Sequence, residues 1–152
     1  MEKSFLRVKP LRPGVKVPTR AHAGDAGVDF YWNPSTRRSS ANIHSCSGYT
    51  FETGVAVEIP EGTMLEIKNK SSVASKYQLL VGACVIDHGY SGEVFIDIHN
   101  VGGFTQEIKP GQKIAQGVLV PVFTPQVEVI DYTPYGGKTT RGSGGFGSTG
   151  KA

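Results

Sequence analysis

The residues best suited to chemistry on a phosphate ester are an aspartate at a turn and a glycine-rich stretch late in the sequence. Asp87 ends the apolar run in CVIDHGY, beside a turn that contains glycine. A hydrolase needs a base that orients and deprotonates the attacking water, and a carboxylate in this place could supply it. The alternative is an aspartate that caps the turn by accepting hydrogen bonds from backbone amides. From these residues alone, both interpretations stay open.

The last twelve residues, RGSGGFGSTGKA, contain several groups that bind phosphate or a base. Arg141 can bind an oxyanion through two parallel hydrogen bonds, Phe146 offers a stacking surface, and the glycine amides are further donors. GFGSTGKA also resembles the phosphate-binding loop GxxxxGK followed by Ser or Thr, but Ala152 replaces the hydroxyl that would bind magnesium. We therefore exclude that loop and expect a mobile lid, with an inert tail as the alternative.

Composition limits the class of protein. The 152 residues suggest one domain, and 38% hydrophobic residues with 20 glycines and 9 prolines favour a turn-rich β protein. A net charge of +3 favours an anionic ligand but is too small for a duplex-binding face, so we expect no nucleic-acid partner. The sequence has no signal peptide and no apolar run of about 18 residues. We therefore expect no membrane contact and an intracellular protein, either cytoplasmic or nuclear.

Alternating apolar residues predict the strands that must position these groups. The alternation is clear in GVAVEIP (54–60), EVFIDI (93–98) and QVEVIDY (126–132), while KIAQGVLVPVF (113–123) is apolar on both faces, like a strand between two layers. Turn signals every 8–12 residues or so favour an all-β sandwich or barrel, and KSSVASKY (70–77) predicts one short helix. We expect a β domain over residues 1–135 and a flexible arm over residues 136–152, which is too rich in glycine to pack a core.

Five segments, taken together, resemble the motif set of the trimeric dUTPase family, the dUTP nucleotidohydrolases. They occur in the order of that family and near its spacing: AGDAGVDFY (23–31), NKSSVASK (69–76), VGACVIDHGYSGEV (81–94), GQKIAQGVLVPVF (111–123) and RGSGGFGSTG (141–150). The resemblance implies a β jelly-roll subunit, a homotrimer and three active sites at subunit interfaces. It also implies Mg²⁺-dependent hydrolysis of dUTP to dUMP and pyrophosphate, through attack of water on the α-phosphate.

By this resemblance, Asp87 is the catalytic base and the ring of Tyr90 packs under the deoxyribose, leaving no room for a 2′-hydroxyl. Backbone groups of Cys84, Val85 and Ile86 would read the uracil, with Cys84 standing where the family often has glycine. The residues alone also allow Tyr90 as an ordinary aromatic of a hairpin and Cys84 as a small core residue.

The resemblance assigns the phosphates to two further segments. Lys70, Ser71 and Ser72 match a motif that is usually Arg-Ser-Gly, and Gln116 would donate a hydrogen bond to phosphate. The alternatives are a polar helix start and a buried strand glutamine that needs a partner in any case. Asp29 would position neighbouring groups or metal-bound water, and its alternative is a turn aspartate.

The arm would then close over the substrate from another subunit. By resemblance, Arg141 would bind the outer phosphates and Phe146 would stack on the uracil ring. Gly147, Ser148 and Thr149 would close over the γ-phosphate. Ordering of such a lid excludes all water except the attacking molecule.

No metal cage is expected from the protein itself. The four histidines are scattered without the spacing of metal ligands, so Mg²⁺ would sit mainly on triphosphate oxygens and water, as this small hard cation prefers. Three rival interpretations remain at this point. They are a dCTP deaminase, a binding or regulatory protein on the same scaffold with weak catalysis, and a generic β-sandwich ligand-binding module.

Overall fold

The structure is a computed structural model, and it describes residues 5–130. Within that range the chain forms ten strands and one helix. In chain order they are β1 (Arg7–Pro10), β2 (Val28–Tyr31), β3 (Ala41–Ile43), β4 (Gly48–Glu58), β5 (Thr63–Lys68), α1 (Ser71–Tyr77), β6 (Leu79–Val81), β7 (Val85–Ile86), β8 (Glu93–Asn100), β9 (Gln106–Ile108) and β10 (Lys113–Pro121). The predicted all-β fold with one short helix is confirmed.

The strands form three antiparallel sheets in a jelly-roll-like arrangement. One sheet has the order β1-β4-β8-β6, the second has the order β2-β10-β5-β7, and β3 pairs with β9. The two large sheets enclose an apolar core in which Trp32 packs edge-on against Phe51, with ring centroids 5.3 Å apart. Because β7 is the last strand of the second sheet, one of its edges has no neighbouring strand among residues 5–130.

The predicted alternation is confirmed in β8. Val94, Ile96 and Ile98 are at most 1% exposed, while Phe95 between them is 49% exposed. In β4, Val55 and Val57 are buried as predicted, but Ala56 between them is also buried, so burial does not alternate there. These side chains face the other sheet, and their burial provides the main favourable free energy of the fold.

Strand β10 differs from its prediction in its second half. Ile114 and Ala115 are buried, as expected for a strand covered on both faces. Beyond Gly117, however, β2 has ended and β10 pairs with β5 alone, so its side chains are only half-buried. Phe123, at the end of the predicted strand, is fully exposed.

The strand predicted at 126–132 is wrong over residues 126–130. This segment has no strand pairing, and Val127 and Val129 are 95% and 96% exposed. The alternation in the sequence is real, but no strand edge of the described chain lies beside it to supply backbone hydrogen bonds. The last backbone hydrogen bond that holds this end is from Val122 to the Gly62 carbonyl, at 2.9 Å.

The predicted helix is confirmed within one residue. It begins at Ser71, after Lys70 in an extended conformation, and ends at Tyr77 before the left-handed Gln78. Val73 is its buried anchor. Over residues 5–130, no helix has the length and apolar character that a membrane span requires. The predicted domain boundary at residue 135 and the arm at 136–152 lie outside the described residues.

Candidate active site

A buried carboxylate lies at the centre of the first cluster of predicted site residues. Asp29 on β2 is 4% exposed and stands opposite Gln116 on β10. Its Oδ1 accepts a hydrogen bond from Lys70 Nζ at 2.9 Å, and its Oδ2 accepts one from Lys113 Nζ at 2.6 Å. A buried charge is tolerated only when it is paired and hydrogen-bonded, and both oxygens of Asp29 meet that condition.

These contacts fix the ionisation of the cluster. Burial by itself would raise the pKa of Asp29, but the hydrogen bonds and charges of Lys113 and Lys70 hold the pKa below its usual value of 3.8. The hydrogen bond to Asp29 in turn raises the pKa of Lys113. One carboxylate and two ammonium groups leave a net positive charge just before helix α1. This is a suitable environment for an anionic ligand.

Gln116 lies in the same cluster. Its Nε2 donates to the carbonyl oxygen of Asn69 at 3.0 Å, and its side chain lies so close to Gly27 that a Cβ there would stand 2.1 Å from Gln116 Oε1. Asn69 is fixed in turn, because its Oδ1 accepts a hydrogen bond from the Val81 amide at 2.7 Å. The link between β5 and α1 is thereby held in place, and Ser71 and Ser72 are exposed at the helix start.

The second cluster surrounds the predicted base. An open pocket of about 230 Å³ is lined by residues of β7, the turn after it and β8, namely Val85, Ile86, Asp87, Tyr90, Glu93, Val94 and Phe95. Asp87 is exposed. Its carbonyl oxygen accepts from the Tyr90 amide at 3.2 Å, which closes the turn. Among residues 5–130 its carboxylate caps no backbone amide, so the structural alternative for Asp87 has no hydrogen bond to support it.

Tyr90 and the uracil-reading segment belong to this second pocket. The Tyr90 hydroxyl donates to the Glu93 carbonyl at 3.0 Å, and the ring lies over Gly92, where a Cβ would stand 2.5 Å from the hydroxyl. Cys84 is half-buried, and its carbonyl accepts from the Ile67 amide at 2.7 Å. Val85 is 56% exposed on β7, the edge strand of its sheet. The outer backbone groups of β7 are therefore available to a ligand.

The described chain does not bring the two clusters together. Gln116 is level with Lys68 at the end of β5, whereas Ile86 is level with Leu65 near its beginning. Continuing that register places Asp87 level with Met64, four residues from Lys68. At about 3.3 Å per strand residue, the two clusters are roughly 13 Å apart along β5. The predicted contributors Arg141, Phe146, Gly147, Ser148 and Thr149 lie outside the described residues.

Sequence reasoning missed Lys113, and a bulge explains why. Lys113 pairs with Tyr31 and Gln116 pairs with Asp29, so three residues of β2 are matched by four of β10. In a regular strand Lys113 and Gln116, three residues apart, would face opposite sides of the sheet. The extra residue Ile114 restores Lys113 to the Asp29 face. A bulge has no distinct residue signature here, so only the register identifies it.

The described residues do not form a protein cage for a metal ion. Among residues 5–130, no three His, Cys, Asp or Glu side chains converge. Both oxygens of Asp29 also contact lysine ammonium groups, whose positive charge disfavours a metal cation beside them. The expectation that Mg²⁺ is held mainly by triphosphate oxygens and water stays a prediction.

Comparison with known proteins identifies the family. The dUTPase family model matches residues 14–150. The deoxyuridine 5′-triphosphate nucleotidohydrolase of Solanum lycopersicum is 36% identical over 146 residues, which cover 96% of this chain and 82% of the relative. That of Picosynechococcus is 37% identical over 147 residues, covering 95% of this chain and 98% of the relative.

Solved structures agree with this assignment. The dUTPase of Staphylococcus bacteriophage 80alpha, in complex with dUPNHPP, is 28% identical and superposes with a TM-score of 0.81. The match covers 98% of this chain and the whole of the phage chain. A mutant dUTPase of the S. aureus phage phi11, which coordinates a structural Mg(II) ion, is 26% identical and has a TM-score of 0.74. The match covers 87% of this chain and the whole of the phage chain. The chain therefore belongs to the dUTPase family, and its enzyme class is dUTP diphosphatase, as in the deoxyuridine 5′-triphosphate nucleotidohydrolases that it matches.

Proposed function

We propose that this enzyme hydrolyses dUTP to dUMP and pyrophosphate through attack of water on the α-phosphate, with Asp87 as the general base. The observation that carries the proposal is the exposed Asp87 carboxylate at an open pocket beside Tyr90. A base must be within hydrogen-bond reach of the water that it deprotonates, and an exposed carboxylate without a backbone partner is free to accept such a hydrogen bond. The related phage enzyme in complex with dUPNHPP supports the choice of substrate.

We infer that the complete site needs more than one subunit. Asp87 and the cluster of Asp29, Lys70 and Gln116 are too far apart along β5 to contact the same phosphate group. The segment from residue 123 to residue 130 also has large exposed apolar side chains, which residues 5–130 of a single chain do not cover. A homotrimer with active sites at the subunit interfaces accounts for both features. Each site would then join Asp87 of one subunit to Lys70 and Gln116 of another.

In this site the two clusters have different roles. Lys70 keeps ammonium protons that do not point at Asp29 and can donate them to phosphate oxygens, and Gln116 and the exposed Ser71 and Ser72 add neutral donors. The ion pair with Asp29 holds the Lys70 ammonium group in place, so that it stays in the site when pyrophosphate leaves. Mg²⁺ bound to the triphosphate would supply charge neutralisation. Since the developing charge is spread over phosphate oxygens, such positioned cations lower the barrier.

The pocket side reads the nucleoside. The free edge of β7 offers backbone donors and acceptors to the uracil, from Cys84, Val85 and Ile86. Tyr90, fixed by its hydrogen bond to the Glu93 carbonyl, supplies a flat wall for the deoxyribose. Arg141, Phe146, Gly147, Ser148 and Thr149 would close over the bound nucleotide from a neighbouring arm. Steric contact of Tyr90 with a 2′-hydroxyl would exclude UTP.

Replacing the base tests the proposed mechanism. We expect Asp87→Asn to reduce kcat for dUTP by about a thousandfold or more, which is the upper part of the range for loss of a general base. The variant should still bind the dUTP analogue dUpNHpp. Pyrophosphate release and calorimetric titration of dUpNHpp measure the two effects. Asp97→Asn, on the outer face of β8, is the matched control and should keep its activity. Comparable turnover by Asp87→Asn would refute the assignment.

Mixing two inactive variants tests the shared site. Asp87→Asn and Lys70→Ala are each expected to be nearly inactive as pure proteins. In trimers assembled at random from equal amounts, about one quarter of the sites would receive both intact residues from the proper subunits. Co-expression with two affinity tags, followed by the turnover assay, measures that recovery. If both residues came from the same chain, the mixture would stay as inactive as its components.

Tyr90 carries the prediction about sugar selectivity. We expect Tyr90→Ala to lower the ratio of kcat/KM for dUTP over UTP by about tenfold or more, because the wall under the deoxyribose is gone. Tyr90→Phe keeps the ring and loses only the hydrogen bond to Glu93, so its selectivity should stay close to that of the wild type. Steady-state rates with both nucleotides provide the ratio. Unchanged selectivity in Tyr90→Ala would exclude the steric role.

The two lysines on Asp29 predict a pH-dependent stability. The pKa of Asp29 is lowered in the folded protein, so the ion pairs contribute fully above pH 3.8 or so and are lost as the pH falls through the lower folded value. We expect Lys113→Met to reduce Tm by several degrees at pH 7, and we expect this loss to shrink as the pH falls below 3.8. Lys113→Arg should behave like the wild type across this range, and Lys76→Met is the control for loss of a surface lysine, on α1. A Tm loss in Lys113→Met that did not depend on pH would contradict this account.

A further inference from the structure

A second pocket, separate from both clusters, lies where three loops meet. It is open, has a volume of about 520 Å³, and is formed by the loop after β1, the loop after β2 and the turn before β10. Its charged lining residues are all cationic: Arg12, Lys16, Arg37 and Arg38. Three prolines, Pro13, Pro34 and Pro110, stiffen its walls.

Asn33 holds the pocket in shape. Its Nδ2 donates to the carbonyls of Lys16 at 3.0 Å and Thr53 at 2.7 Å, and its Oδ1 accepts from the Lys16 amide at 2.9 Å. The Gly111 amide donates to the Trp32 carbonyl at 2.7 Å, which fixes the turn against the loop after β2. The cationic side chains therefore stand on a preorganised frame, which lowers the entropic cost of binding a ligand.

Two carboxylates lie near the pocket, and each already has a partner. Glu93 contacts Arg12 at 3.3 Å and accepts from the Gly54 amide at 2.6 Å. Glu52 accepts from the Ser35 amide at 2.9 Å. Burial would raise the pKa of Glu52, but the Ser35 hydrogen bonds and the charges of Arg12 and Arg38 keep it lowered, so it stays ionised.

The pocket nevertheless holds more cations than nearby carboxylates. Across the described part of the chain, Lys16, Arg37 and Arg38 form no direct ion pair, although the charge of Arg38 acts on Glu52. Lys16 donates instead to the Gly111 carbonyl at 3.3 Å and lies over the Tyr31 ring, 4.1 Å from its centroid. An excess of cations gathered in a concave site attracts anions.

We propose that this pocket is a second anion site, which binds a small ligand with two or more phosphate groups, such as inorganic pyrophosphate. Arginine binds phosphate oxygens through paired hydrogen bonds, and Arg37 and Arg38 are adjacent and exposed at the rim. The volume is in the range of small-ligand sites. The four cations are confined to one concavity, which suits a compact anion better than a polymer. The pocket binds this ligand whether or not the proposed hydrolysis takes place at Asp87.

Calorimetric titration of inorganic pyrophosphate into the full-length protein tests the proposal. The titration is made at low salt, with and without saturating dUpNHpp, which would occupy the candidate active site. With dUpNHpp present, we expect one pyrophosphate bound per chain; without it, the proposed active site can bind a second, because pyrophosphate is its product. In the double variant Arg37→Gln/Arg38→Gln with dUpNHpp present, affinity should fall by about tenfold or more, since two of the cations that contact the ligand are lost.

The control and the opposing outcomes are defined by the same titration. Arg7→Gln/Lys76→Gln removes two surface cations outside the pocket and should leave pyrophosphate binding unchanged. With dUpNHpp present, either the absence of pyrophosphate binding or binding of undiminished affinity by Arg37→Gln/Arg38→Gln would overturn the proposal. So would binding of a thymidine oligonucleotide through these arginines without binding of pyrophosphate. Turnover of dUTP by Arg37→Gln/Arg38→Gln should equal that of the wild type, so the hydrolysis proposal is judged by a separate measurement.

Discussion

Burying a charged carboxylate costs free energy unless nearby cations form ion pairs with it. Asp29, which is 4% exposed, forms such ion pairs with Lys70 and Lys113. These contacts connect β2, β10 and the residue just before α1. They hold Lys70 immediately before the exposed Ser71 and Ser72 at the helix start. The arrangement of this cluster depends on these three charged groups.

The second constraint is the length of β5. Its two ends carry different partners, the cluster around Gln116 at one end and the pocket of Asp87 at the other. A strand is stiff, so no local movement of a loop brings these groups onto one phosphate. Residues 5–130 of a single chain therefore keep the two clusters apart. Within that range, no strand pairs with the outer edge of β7, and the segment at 123–130 has exposed apolar side chains.

Much of the fold could be predicted from the sequence, because the apolar residues that mark β4, β8 and α1 are the ones buried, and in β8 burial follows the local period. The pattern at 126–132 has the same period, yet it forms no strand over residues 126–130, since a strand also needs a partner edge, which a local pattern cannot report. Asp29, Lys70 and Gln116 could be found by resemblance to a family. Their mutual contacts could not, because the ion pairs depend on side-chain reach across three segments.

The bulge at Ile114 has a consequence beyond the position of one lysine. Whether Lys113 meets Asp29 is decided by the number of residues between it and Gln116, and residue type alone does not decide it. A deletion of one residue between them would leave the strand able to pair while sending the ammonium group to the other side of the sheet. The position of Lys113 therefore depends on the number of residues between it and Gln116. No substitution that keeps the residue types could compensate for a change in that number.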